Sequence, residues 1–150
     1  MMKLALFFHL SGMVVWVGGM FFAYVCLRPA AGNVLEPPQR LRLWTGVFSR
    51  FFPWVWLSVA AILGSGVYML YLVGAQFAPL YAFVMAGAGV VMVLIFGHVY
   101  FAAFPRLRKA VKEADWPGGG KALGQIRMLV GVNLALGALV IVVDTLGALL

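Results

Sequence analysis

The sequence predicts an all-α fold, a four-helix transmembrane bundle with both termini on the outer, periplasmic side. Three observations lead there. Four apolar runs, at about 4–27, 52–73, 80–104 and 129–149, each have the length of a spanning helix, since about 20 apolar residues rising about 1.5 Å each cross about 30 Å of hydrocarbon. The composition is 65% hydrophobic and 10% charged, against about 45–50% and about 25% in soluble domains. And ten of the eleven basic residues fall between runs one and two or between runs three and four, the charge bias of cytoplasmic loops. Lipid leaves no other choice for such isolated runs, because backbone polar groups exposed to hydrocarbon must be satisfied within the segment. The expectation is one domain over residues 1–150, multi-pass in a bacterial inner (plasma) membrane.

Run one is uncharged from Leu4 to Leu27 and stops at Arg28-Pro29. It exceeds the apolar core of a signal peptide, about 7–15 residues, and no A-x-A site follows, so it reads as a retained span. His9, Gly12, Trp16, Gly19 and Ala23 recur at helical spacing and form one face. A neighbouring helix is expected to press on that small-residue stripe.

The first basic segment holds Arg28, Arg40, Arg42 and Arg50. Pro37 or Pro38 suits a helix start. Residues 39–52 mix Arg40, Arg42 and Arg50 with Leu43, Trp44, Val47, Phe48 and Phe51, which reads as an interfacial helix feeding run two. Trp44, Trp54 and Trp56 are expected in or near the inner aromatic belt. Gly74–Pro79 carries no charge. The pairs Ala60/Gly64, Ala61/Ser65, Ala82/Ala86 and Gly131/Ala135 have the spacing of close helix contacts. The second basic segment, Pro105–Lys121, ends in Trp116-Pro117-Gly118-Gly119-Gly120 and reads as a flexible connector without phosphate-loop spacing.

The net charge of +7 sits in short loops between spans, which argues against nucleic acid as a partner. A single cysteine, Cys26, excludes an internal disulfide and a cysteine metal cluster. No nucleophile–base pair, carboxylate pair or HExxH is present.

Polar side chains in hydrocarbon are costly, so each is a functional candidate. His9 stands in the outer part of run one, and Asp144 at comparable depth in run four, where a carboxylate can orient a ligating imidazole. His98 stands near the inner end of run three, level with Tyr24, Arg28 and Arg50. The two histidines differ by about 13 residues of rise, about 20 Å. They cannot both ligate one iron whose nitrogen ligands stand about 2 Å away. An inner site at His98 would set Arg28 and Arg50 to hold haem propionates. Thioether is a soft ligand for Cu(I), and Met13 and Met20 lie a heptad apart on run one, as Met85 and Met92 do on run three. The same methionines also suit plain core packing.

His9, Trp16, Gly18-Gly19, Phe21-Phe22 and Arg28-Pro29 resemble the first helix of the copper-resistance protein D (CopD) family. RLRLW at 40–44, RFFPWVW at 50–56, GHVYF at 97–101 and IRMLVGVNLALG at 126–137 look like a small four-helix bacterial branch of it. The first helix is also similar to HemJ-type membrane proteins that bind b-type haem. That likeness implies His9 as a haem ligand and His98 as the late third-helix histidine. Haem b at His9 in a redox protein is the first expectation. Copper binding or transport through His9, Met13 and Met20 is the alternative, with Asp144 and Trp16 supporting the ligands in either case. A cofactor-free membrane subunit is the third. The partners expected are the lipid bilayer and a redox or copper-handling protein, and a homo-oligomer stays open.

Overall fold

The computed structural model describes residues 1–147, so the end of the fourth predicted run, at 148–149, lies outside the described residues. Among these, four helices are long and apolar enough to cross a membrane. They are α1 (Met2–Val34), α2 (Pro37–Val73), α3 (Leu80–Lys112) and α4 (Trp116–Gly147). The connections are short, which makes successive helices antiparallel neighbours. One end of the bundle carries Arg28, Arg40, Arg42, Arg50, Arg106 and their neighbours and is called the basic end. The far end carries Met1 and the turn between α2 and α3.

The helices outrun the apolar runs. α2 has 37 residues, a length of about 55 Å, so the segment expected as a separate interfacial helix is the first third of α2. Pro37 and Pro38 open it, where the missing N–H costs nothing. Gly74 closes it at φ +83°, a conformation that favours glycine.

α1 and α3 share a device. Each widens into π-helical turns, over Phe22–Leu27 and Val99–Ala103, just before a proline, Pro29 and Pro105. A proline inside an α-helix removes one hydrogen bond and collides with the carbonyl four residues back. In the wider turns the Arg28 N–H reaches Ala23 O, and the Phe104 N–H reaches Val99 O. Both helices then continue past their prolines.

That continuation corrects the expectation for Pro105–Lys121. The segment is not a flexible connector. α3 runs on to Lys112 because Phe104, Leu107 and Ala110 form a buried stripe opposite Arg106, Arg108 and Lys109. The chain reverses over Glu113–Asp115, with Ala114 at φ 55°. Asp115 Oδ1 then accepts the Gly118 N–H at 3.0 Å and caps α4. The glycine run is helical, and at Gly119 the missing side chain lets α2 come close, since a Cβ there would stand 2.8 Å from Leu41 Cδ1.

α1 packs chiefly on α2 through the expected stripe. A Cβ on Gly12 would stand 3.0 Å from Ser58 O, and one on Gly19 would overlap the Phe51 ring. Of the small-residue pairs, Gly131 meets the Tyr24 ring, whereas Ala60 and Gly64 line an open groove instead of a helix contact.

The core sits toward the basic end. Phe48 and Phe52 stack at 5.1 Å, and Phe52 meets Phe104 edge-on at 5.0 Å and Phe96 at 5.4 Å. Trp44 joins them against Phe48 and is 6% exposed, so it is a core residue rather than part of a lipid-facing belt. Trp56 is half-buried against Phe96. Trp54, 59% exposed, faces outward as expected.

Candidate functional site

His9 lies on the far half of α1, half-buried against α2. Its ring rests on Gly66, where a Cβ would stand 3.5 Å from Cε1. Nδ1 is 2.9 Å from Ser65 Oγ. The serine hydroxyl has one proton. It is directed back to its own helix, toward Ala61 O at 2.5 Å and Ile62 O at 3.2 Å. With that proton on its own helix, Ser65 accepts from His9, and the tautomer consistent with this carries its proton on Nδ1. The lone pair is left on Nε2. That tautomer leaves Nε2 free to ligate, with a partner behind the ring.

Sequence reasoning gave that place to Asp144. The structure puts Ser65 within hydrogen-bond distance of Nδ1, with Asp144 exposed on α4 and near enough to act on the imidazole by its charge. The only advance signal for Ser65 was its small-residue spacing with Ala61.

Met13 is half-buried one turn beyond His9 on α1, on the same face. Met20 is buried eleven residues from His9, about 16 Å along the helix, too far to share an ion with it. Trp16, between them, is buried with its ring edge-on to Phe96 at 6.1 Å. It is a packing residue of the stripe. Among the described residues no three His, Cys, Asp or Glu side chains come together as a metal group, so any metal here relies on thioether or on a partner.

His98 stands exposed on α3 toward the basic end. Its Nε2 is 3.3 Å from Gln125 Nε2, and Gln125 Oε1 accepts from Arg106 Nη1 at 3.0 Å. Arg50 is exposed and donates to Gly46 O one turn back. Arg28 lies over the Tyr24 ring at 4.8 Å. The three are not gathered: Arg28 lines a cavity that His98 and Arg50 do not.

Three cavities matter. A groove of about 390 Å³ at the far end runs between α1 and α2, past Phe8, Gly64 and Ser65. A cavity of about 530 Å³ opens at the basic end, walled by Tyr24, Arg28, Arg40, Trp44, Trp116 and Arg127. An apolar slot of about 240 Å³ adjoins it, sharing Ala23, Phe48 and Val130 and reaching Asn133. Asn133 donates to Met92 O at 3.1 Å, and its Oδ1 is buried without a partner. His9 lines none of the three.

Four helices long and apolar enough to cross a bilayer define an integral, multi-pass membrane protein. The family model described as copper resistance protein D matches residues 45–148, well over half of the chain, and the chain belongs to that family, CopD. The matched stretch takes in Arg50, His98 and Asp144 and begins after His9, Met13, Met20 and Arg28. No curated protein and no solved structure matches the chain.

Proposed function

We propose that this chain is a bacterial inner-membrane protein that binds Cu(I) in the far half of its bundle, as cargo in copper handling. His9 Nε2 and the Met13 thioether are the protein's ligands. Ser65 holds the imidazole in register. The carrying observation is the imidazole tied to Ser65 at 2.9 Å, one helical turn from Met13. Imidazole and thioether together suit Cu(I), and membership of the copper-resistance family agrees with that metal. Met20 lies farther down the same helix, where it would take part in a second position, not the first. The positive-inside rule places the basic end in the cytoplasm, so His9 faces the periplasmic half. A reporter fused after residue 150 should then read as external, and a cytoplasmic reading would reverse the assignment.

The test is copper stoichiometry in detergent under reducing conditions, read by competition with a chromogenic Cu(I) chelator. The parent should retain copper, His9→Ala should lose it, and Ser65→Ala should weaken it by about 10–100-fold, the usual weight of a group that orients a ligand. Full retention by a well-folded, monodisperse His9→Ala would end this reading.

A b-type haem at His9 is the second reading, favoured by the likeness of the first helix. The Nε2 lone pair serves it equally. The surroundings fit it less well, since a macrocycle needs a slot beside its ligand and His9 borders none of the three cavities. At the basic end the match is also incomplete, because Arg28 is at the cavity while His98 and Arg50 are not. A Soret band lost with His9→Ala would favour haem over copper. Neither copper nor a Soret band in the parent would leave a cofactor-free membrane subunit.

A further inference from the structure

The basic end holds a feature that copper binding does not use. Arg28, Arg40 and Arg127, from α1, α2 and α4, all line the 530 Å³ cavity, and no carboxylate lines it. Three guanidinium groups around one space repel each other unless an anion joins them. Arg40 makes the need specific. Its Nη2 donates to Leu35 O at 3.0 Å, but its Nε is buried without any partner. A buried donor on a charged group left unpaired costs more than a neutral one. A phosphate oxygen is the acceptor that guanidinium geometry suits.

The wall is also built to leave room. Gly32, Gly120 and Gly124 line the cavity, and a Cβ on any of them would meet nothing within 4 Å. These glycines are not there for helix contact. Trp116, on the same wall, is held under Arg42 at 5.4 Å. An aromatic and cationic rim of this kind belongs at the headgroup level of a bilayer.

The second half of the pattern is the adjoining slot. It shares Ala23, Phe48 and Val130 with the cavity and continues along Leu27, Phe51 and Met20 into the bundle. A charged chamber that opens into an apolar slot fits a molecule with an anionic head and a hydrocarbon tail. A free anion would fill the first and leave the second empty.

We propose that the basic end binds one anionic phospholipid, its phosphate held by Arg28, Arg40 and Arg127 and one acyl chain laid in the slot beside Phe51. Basic pockets between helices at the cytoplasmic side are the known physical form of such recognition. The site ties α1, α2 and α4 together at the end where all three carry positive charge.

The test is native mass spectrometry of the full chain in detergent, titrated separately with phosphatidylglycerol, phosphatidylcholine and inorganic phosphate. Phosphatidylglycerol should bind one per chain and exceed phosphatidylcholine by at least about fivefold, the weight of one interfacial basic residue. Arg40→Gln should lose that preference. Gly124→Leu, which keeps every charge and fills the space, should lose phosphatidylglycerol by a similar factor. Lys109→Gln, at the same end but lining neither cavity, should bind as the parent does. If Arg40→Gln does not fold, Gly124→Leu decides alone. Equal binding of the two lipids, unchanged binding by Gly124→Leu, or displacement of the lipid by millimolar phosphate would each overturn the proposal. Copper stoichiometry read on the same Gly124→Leu sample should be unchanged, so the two sites fail separately.

Discussion

The two ends of this bundle are built on different principles. At the basic end the aromatic ladder Trp44–Phe48–Phe52–Phe104 is shut in by α3 and α4, and Leu107 and Ile126 are wholly buried. At the far end α3 has no buried residue before Met92, and the outer turns of α2 leave Val67 and Tyr71 exposed. α1 and α2 hold tightly together there, through Gly12 and the His9–Ser65 bond. The difference teaches where each property comes from. Stability is concentrated in the aromatic core near the charges. The polar pair sits where packing is thin.

Breaking the core should have the largest effect. Phe52→Ala removes a ring, 3% exposed, that touches Phe48, Phe96, Tyr100 and Phe104. It should cost about 3–5 kcal/mol in detergent unfolding. Val67→Ala, at a position 68% exposed, should stay within about 0.5 kcal/mol. Comparable losses would mean the two ends are equally packed. Next comes the α1–α2 seam. Gly19→Leu drives a side chain into the Phe51 ring and should cost about 1–3 kcal/mol, whereas Gly18→Leu meets nothing and should be neutral. Neutrality at both would place α2 against a different face of α1.

The number of spans, their places and the α1 stripe were legible because lipid enforces them: apolar length and small-residue spacing leave few alternatives. The extent of the helices was not. Pro29 and Pro105 read as stops, but π-helical turns absorb each proline, and the buried stripe of Phe104, Leu107 and Ala110 repays the continuation. Trp44 looks interfacial in sequence because arginines flank it, and its burial against Phe48 in the assembled bundle makes it core. His9 was legible as a rare intramembrane imidazole. Its partner was not, because a serine one helix away carries no signal of its own and Asp144 carries an obvious one. The cavity at Arg40 and Arg127 depends on three helix ends meeting, which no local pattern records.

A smaller effect is expected at the junction of the two regions. Asn133 donates to Met92 O and is buried on the α4 face toward α3. Asn133→Ala should cost about 0.6–1.7 kcal/mol, the range of such bonds between membrane helices. Asn133→Leu tests the unpaired Oδ1: removing an unsatisfied polar atom along with the bond should recover part of that loss. A larger loss in the leucine variant would indicate that the slot beside Asn133 has no room for the added methyls.

The smallest stability change should come from the His9–Ser65 pair, and this is where stability and binding separate. The bond lies in the thinly packed half, and a hydrogen bond between membrane helices averages only about 0.6 kcal/mol. Ser65→Ala should therefore hardly move the unfolding midpoint. Its effect on the imidazole is of another kind. Without the hydroxyl oxygen, Nδ1 loses its 2.9 Å partner and the ring its tie to α2, so Nε2 is less firmly presented to a ligand. Copper affinity should fall by about 10–100-fold while folding stays intact. A double-mutant cycle of His9→Ala and Ser65→Ala sharpens the distinction. If the serine acts only through the imidazole, it should change copper binding in the parent and have no further effect once His9 is gone. Equal effects of Ser65→Ala with and without His9 would make the serine an independent packing residue. The far end of the bundle would then be simply loose, not open for a ligand.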